Sequence, residues 1–280
     1  KTNIKQSQTG KIVTVIDSKT IQNNAGHTLT ELLNNQAGFA MVGSNNSMGS
    51  NVENYFRGAV SGNLLIVIDG IPVTDPSQIS NTFDLNSIPL EQIDRIEILK
   101  GGQSTLWGSD AVAGVVQIFL KKESAKLFAA NGSFSYGTYN TLRAGGGING
   151  TYRKLGYRLQ YNYQNSDGFS NAYDSSGNKG FDKDGFSQNS LQAELKYKFS
   201  DAFNMKLLGT LGDYHFALDQ GAFTDDKDYG GKNINNMGAV YLNYHKKNLT
   251  WNTLGSYQQA KRYFTDDRAD RSSPYSYYSQ

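Results

Sequence analysis

The chain contains no cysteine, so disulfide staples and thiolate metal sites are excluded, whatever the compartment. No apolar run approaches the roughly 18 residues that a membrane-spanning helix needs. Strands remain possible spans, because each is only half apolar. Charge of one sign is missing as well: 27 Lys and Arg face 25 Asp and Glu, a formal net charge of +2. No basic patch interleaved with aromatics argues for nucleic acid. Histidine is scarce, and His27, His215 and His245 lie far apart without the H-E-x-x-H spacing of a zinc site, so they are read as surface or loop residues. Gly101-Gly102 and Gly145-Gly-Gly147 lack the G-K-[ST] ending of a phosphate loop. Nothing assembles an enzyme. No secretory leader is visible, and because export would require one the N-terminus is expected to be mature or cut. At 280 residues, 38% hydrophobic, the chain otherwise passes for an ordinary soluble protein of one or two domains.

The most informative segment that is present runs from Ile88 to Lys122. Ile96 and Ile98 alternate with Arg95, Glu97 and Lys100, the pattern of a half-buried strand that Gly101 ends. Gly108 and Gly114 bracket a turn before the apolar run Val115 to Leu120, a strand buried on both faces. Upstream, Thr28 and Glu31 form a capping box for a helix whose apolar stripe is Leu29, Leu32 and Leu33, with Gly38 expected to stop it. Tyr55-Phe-Arg57-Gly58 follows, then a buried-looking strand Leu64 to Ile68 and the Asp69-Gly70-Ile71-Pro72 turn.

In this order the blocks resemble the plug domain of TonB-dependent outer-membrane receptors: the R-G segment, the V-L-x-D-G segment, E-I-L-K-G, and W-G-S-x-A-x-x-G-V at Trp107 to Val115. The resemblance implies a mainly β protein with a small α+β plug over residues 1–122. Arg57, Gly58, Asp69, Gly70, Arg95, Glu97, Lys100, Gly101, Trp107 and Gly108 then carry structural or coupling roles. In that family, plug arginines such as Arg57 and Arg95 pair with barrel carboxylates, since a buried unpaired Arg is costly.

Composition changes after residue 122: seventeen of the eighteen tyrosines lie beyond it. Tyr157, Leu159, Tyr161 and Tyr163 alternate with Arg158, Gln160, Asn162 and Gln164, and Leu191 to Phe199 repeats the pattern. Trp251, Thr253, Gly255 and Tyr257 do so more weakly. Strict alternation with aromatic ends is the signature of lipid-facing barrel strands. Candidate strands lie at 126–138, 140–151, 154–166, 187–200, 203–216, 233–246 and 249–263, and Gly145 to Gly147 would face lipid or bend a strand. Plug-filled barrels have about 22 strands, so residues 123–280 are expected to be the first seven or so strands of an antiparallel transmembrane barrel, cut short. The closing Ser273 to Gln280 reads as an external loop.

The loop from Ser166 to Phe186 is too long for a tight hairpin and belongs with external loops. Asp182 and Asp184, followed by Gly185, can turn two carboxylates toward calcium, with Asp174 adding oxygens; a solvated polar loop with a D-G turn is the alternative. The stretches Ala172 to Asn178, Asp182 to Phe186 and Phe199 to Phe203 resemble the cobalamin (vitamin B12) receptors within the family. That resemblance implies calcium at Asp174, Asp182, Asp184 and Asp213, with no covalent cofactor.

Substrate-loop candidates are Ser44, Asn45, Asn46, Ser47 and Met48, and Thr74, Asp75, Ser77, Gln78 and Asn81. These loops hold no Arg or Lys, which suits an amide-decorated corrinoid better than an anionic ferric siderophore. Ser, Asn and Gly are also plain loop-formers. Family membership further implies the TonB-ExbB-ExbD complex as energy source and outer-membrane lipid as surroundings, with a surface lipoprotein as a possible partner. The first residues show no TonB box, which is expected upstream. The alternatives are a siderophore, haem or SusC-like glycan receptor, and a non-transporting binding or signalling protein. Glu97-Ile-Leu-Lys-Gly101 departs from the S-I-E-V-L-K-D-A of the glycan group.

Overall fold

The computed structural model describes residues 12–44, 46, 48–50, 52–78, 80–108, 110–177 and 180–266, and the backbone of 275–279. Two compact units emerge. One gathers the residues before 46 with 51–85 and 92–121; the other gathers 46–50, 86–91 and the chain from Lys122 onward.

The first unit is a five-stranded mixed sheet. Strands β1 (Ile12–Ile16), β4 (Leu64–Ile68), β5 (Ile71–Val73), β6 (Ile93–Lys100) and β7 (Gly114–Leu120) lie in the order β1-β6-β7-β4-β5. A separate hairpin pairs β2 (Phe39–Val42) with β3 (Glu53–Phe56). The central β7 pairs parallel to β4 and antiparallel to β6, which is why its sequence is apolar nearly throughout. Helices α1 (Ser18–Asn23) and α2 (Leu29–Asn34) precede the hairpin. The capping box of α2 forms as the sequence indicates: the Glu31 amide donates to Thr28 Oγ1 at 3.2 Å and the Thr28 amide to Glu31 Oε2 at 2.6 Å. The helix is capped at Asn35, and Gly38 instead supplies the positive φ that leads into β2.

The motif residues of this unit are mostly turn-makers and core anchors. Asp69 and Gly70 both take positive φ, the signature of a two-residue hairpin turn between β4 and β5. The Leu120 amide donates to Asp69 Oδ1 at 3.0 Å, fastening that turn to β7. Arg57 and Gly58 make a second positive-φ turn, closed by the Ala59 amide donating to the Phe56 carbonyl. Gly101 and Gly108 have φ of 91° and 94° at the ends of β6 and of α3 (Ser104–Trp107). Trp107 packs on the buried cluster of Leu65, Val67, Leu99, Ala111 and Val115, and Lys100 stands at the end of β6 opposite Ile12 and Gly114.

Arg95 has carboxylates close by in sequence. Its Nε donates to Glu97 Oε1 at 2.9 Å on the same face of β6, Asp94 lies at 3.5 Å, and its guanidinium sits 3.8 Å from the Phe119 ring centroid. The charge is met inside the strand's own neighbourhood, because residues two apart on a strand share a face.

In the second unit, eight antiparallel strands run in sequence order: β8 (Ala129–Gly137), β9 (Thr141–Tyr152), β10 (Leu155–Ser166), β11 (Phe186–Lys198), β12 (Phe203–Ala217), β13 (Tyr229–Lys246), β14 (Leu249–Asp266) and the short β15 (Tyr275–Ser279). The first seven fall where the alternation puts them. The closing segment, read as an external loop, instead pairs with Arg262 to Asp266. Connections at one end are short, at 153–154, 199–202 and 247–248, and those at the other include 167–185 and 218–228.

The sheet is inside out relative to a soluble protein. On β10 and β11, Arg158, Gln160, Asn162, Gln192 and Glu194 are at most 5% exposed, whereas Leu159, Tyr161 and Leu195 are 44–48% exposed. Water would expel that apolar face and leave the polar one wet, so the face needs an apolar solvent. Gly145 and Gly147 lie on the polar face, contrary to the lipid-facing reading. A Cβ there would approach Asn162 Oδ1 to 2.4 Å and Gln160 Oε1 to 2.3 Å, so the glycines make room for those buried side chains.

Candidate functional site

The long connections 167–185 and 218–228 fold onto each other through carboxylates that accept backbone amides. Asp219 Oδ2 accepts from the Ala172 amide at 2.6 Å and from Ser170 Oγ at 3.0 Å, and Asp219 Oδ1 accepts from the Asp226 amide at 3.0 Å. Asp225 Oδ1 accepts from the Asp182 amide at 2.9 Å, and Asp184 Oδ2 from the Asn171 amide at 2.8 Å. The Tyr173 amide donates to the Ala222 carbonyl at 2.7 Å, and the rings of Tyr173 and Phe223 meet edge to face. Charged acceptors on amides are strong bonds, and here they replace regular secondary structure.

The folding brings Asp182, Asp219 and Asp225 together, with ligand oxygens all within 4.8 Å of one another. Oxygens about 2.4 Å from one calcium ion are at most about 4.8 Å apart. Asp182 Oδ1 is screened from solvent and has no hydrogen-bond partner, which a cation would supply. A second acidic group, Asp226, Asp228 and Asp266, lies at the outer ends of β13 and β14. Burial pushes the Asp182 carboxyl up to about 6, with Asp225 and Asp219 adding to the rise and Lys227 opposing it. Burial likewise pushes Asp184 up to about 7; the Asn171 amide pulls it down and Asp219 pushes it up again.

Of the four aspartates named as calcium candidates, the structure brings one into the acidic cluster. Asp182 joins the cluster and Asp184 stands beside it. Asp174 Oδ1 is engaged by its own turn, accepting from the amides of Ser176 and Gly177 at 3.0 Å. Asp213 is on β12, with Oδ2 3.7 Å from His215 Nε2. The sequence reading missed Asp219 and Asp225; the Asp225-Asp226-Lys227-Asp228 run was the available signal.

Residues 46–50 belong to the same unit as these loops. Gln164 Nε2 donates to Met48 Sδ at 2.6 Å, and Asn171 Nδ2 donates to Ser50 Oγ at 3.4 Å. Met48 packs against the buried aromatic cluster of Phe186, Tyr214 and Phe216, and a Cβ on Gly49 would come within 2.4 Å of Phe216 Cβ. Asn46 is exposed beside them. Among the other loop candidates, Asn45 and Ser47 lie outside the described residues. Ser44 closes a turn after β2, its amide donating to the Met41 carbonyl. Asp75 is 2% exposed and accepts from the Ser77 amide and hydroxyl, which makes it a loop builder; Ser77 and Gln78 are half-buried in that turn, and Thr74 and Asn81 are exposed.

The model of the family described as TonB-dependent Receptor Plug Domain matches residues 5–115, which take in β1 to β6, the opening of β7 and the motif turns. The matched segment, 111 of the 280 residues, is similar to the plug of TonB-dependent receptors. A vitamin B12 transporter, BtuB, of Photobacterium profundum is 27% identical over 232 residues, covering 82% of this chain and 36% of that protein. Its namesake from Vibrio cholerae is 32% identical over 136 residues, covering 47% of this chain and 22% of that protein. The solved siderophore receptor PirA from Acinetobacter baumannii superposes with a TM-score of 0.71 at 19% identity, over 91% of this chain and 40% of its own. The chain thus spans about a third or less of the length of the curated relatives it matches.

Proposed function

We propose that this chain is part of a TonB-dependent receptor in an outer-membrane uptake system for cobalamin or a related corrinoid, in the Gram-negative envelope, with calcium organising its long loops. The observation that carries the reading is the joining of the 167–185 and 218–228 connections through Asp182, Asp219 and Asp225, in a chain whose similarity to one vitamin B12 transporter covers 82% of its length. Asp182, Asp219 and Asp225 would hold the ion, all of them hard oxygen donors. The neutral Ser, Asn and Gly of residues 42–54 and 71–86 support an amide-rich cargo. Energy would come through the TonB-ExbB-ExbD complex, since an outer membrane has no gradient of its own, and a surface lipoprotein is a further possible partner. The inside-out exposure of β10 and β11 supports lipid as the solvent of the apolar face.

Siderophore transport is the second reading, supported by the fold of PirA. Calorimetric titration of the intact receptor in detergent separates them. Cyanocobalamin is expected to bind, more tightly with calcium than with chelator, and a ferric siderophore not at all; siderophore binding without corrinoid binding would replace the cargo. Asn171 donates its backbone amide to Asp184 and its side-chain amide to Ser50; alanine removes only the second bond, so Asn171→Ala is expected to weaken corrinoid binding about tenfold while calcium affinity changes less than threefold. An equal loss of both would mean that Asn171 merely holds the loop folded.

A further inference from the structure

The chain passes from the first unit into the second for the last time at Lys122, and the residues that follow are fastened to the strand sheet of their own unit. Glu123 Oε1 lies 3.0 Å from Lys196 Nζ, and the Glu123 side chain is only 16% exposed. The Ser124 amide donates to Asn149 Oδ1 at 3.0 Å, and Thr151 Oγ1 donates to the Ser124 carbonyl at 2.7 Å. The Thr151 amide donates to the Lys126 carbonyl at 2.7 Å, and the Tyr157 hydroxyl to the Leu127 carbonyl at 3.0 Å. Residues 122–128 lie outside any strand, so β9, β10 and β11 supply partners that no ladder provides.

Two glycines clear the seat. Register puts Gly156 of β10 directly opposite Lys196 of β11, and a Cβ on Gly156 would lie 2.9 Å from Glu123 Cγ. A Cβ on Gly150 would collide with the Leu127 carbonyl oxygen. The surrounding charge is cationic. Lys196 faces Lys206 directly across on β12, and Glu194, two residues away on the same side of β11, lies opposite Arg158 and 3.6 Å from Lys206. Glu123 therefore brings a negative charge to three cations that share one carboxylate, and relieves their mutual repulsion. β8 starts at Ala129, directly after these residues, and stands at the edge of the described sheet with β9 as its neighbour. An edge strand opens from its end, so bonds on the residues just before β8 hold its pairing closed.

We propose that residues 122–128 are a strap, locked to the strand sheet by the Glu123 and Lys196 pair, that confines local opening of the first unit to the residues before Lys122 and keeps β8 paired while β6 and β7 come apart. β7 runs through Lys121 into the strap, so an opening of the first sheet at β7 arrives at this point of the chain. A linker without partners would pass the loosening on to β8, because a cooperative unit ends where bonds to its surroundings end. The strap has such bonds at Glu123, Ser124, Lys126 and Leu127. The inference depends on neither the cargo nor calcium.

The test is hydrogen exchange of the intact receptor in detergent, read by mass spectrometry at rising urea. In wild type, the peptides covering 122–128 and Thr151 are expected to stay protected at urea concentrations where residues 93–120 exchange; simultaneous exchange of both regions overturns the strap. E123K sets a further cation beside Lys196 and Lys206 and should speed exchange of 122–128 and of the Thr151 peptide about tenfold, with β10 to β12 unchanged. G156A changes no charge but fills the seat, and should act in the same direction. The swap E123K/K196E restores opposite charges between strap and sheet and should return wild-type protection. Wild-type protection in E123K, or a swap variant no better protected than E123K, overturns the lock. Should E123K open β10 to β12 as well, G156A decides, and wild-type protection of 122–128 in G156A overturns the strap.

Discussion

Asp219→Asn is expected to weaken calcium binding to the intact receptor by about a hundredfold and to remove calcium's enhancement of corrinoid binding. Asp219 serves three amide or hydroxyl donors across the two connections and also contributes to the acidic cluster, so its loss removes a ligand charge and misplaces the others. Asparagine keeps one acceptor oxygen for the Ala172 amide, which makes it a gentler probe of charge than alanine. Asp213→Asn, on β12 and outside the cluster, should leave calcium affinity unchanged. If Asp219→Asn binds calcium as wild type does, the metal reading fails.

The same cluster fixes a pH dependence. Asp182 and Asp184 are raised to about 6 and about 7 from the model-peptide value of 3.8, so protonation favours the folded loops in the metal-free protein. That stabilisation is complete below about pH 4 and is lost as pH rises through about 6 and then about 7. Calcium needs the deprotonated carboxylates, so its affinity rises over the same window and its binding releases protons. Calorimetry in buffers of different ionisation heat would register that release near pH 6 and its absence near pH 8. Chelator should unfold the loops more readily at pH 8 than at pH 5, and calcium should remove the difference.

Local chemistry made most of the fold legible. Thr28 and Glu31 sit three apart before an apolar stripe and form the capping box as written. Alternation of apolar and polar residues located β10 and β11 to within a residue or two, because an inside-out strand is patterned as strictly as an ordinary one. What stayed hidden depended on pairing. Asp182 meets Asp225 only because β11 and β12 intervene and return the chain, and spacing along the sequence carries no such information. Gly145 and Gly147 looked like lipid-facing glycines until the register set them against Asn162 and Gln160 on β10. The Arg95–Glu97 pair, by contrast, follows from two residues spaced two apart on one face of β6.

Gly114→Val is expected to unfold the first unit while sparing the second. Gly114 opens β7, the strand on which the sheet is built, between β4 and β6. A Cβ there would lie 2.5 Å from the Leu99 carbonyl oxygen and 2.8 Å from Phe56 Cε1. Phe56 is fully buried and its ring centroid is 4.4 Å from that of Phe39, so it cannot yield, and the carbonyl belongs to the neighbouring strand. Overpacking against side chains alone costs about 1–3 kcal/mol, and a clash with backbone adds to it, against a stability of about 5–15 kcal/mol for a whole domain. A valine also places a branched side chain where the first ladder bonds of β7 form. Gly102 is the internal control: a Cβ there meets only the Val112 carbonyl oxygen at 3.6 Å, ordinary contact, so Gly102→Ala should be tolerated. Limited proteolysis of the detergent-solubilised receptor reads the outcome, with cleavage within residues 12–121 reporting the first unit and heat-modifiable gel mobility reporting the strands beyond. Wild-type protection of that region in Gly114→Val would show that β7 can shift away from β6, and that the tight packing at Gly114 does not hold the sheet together.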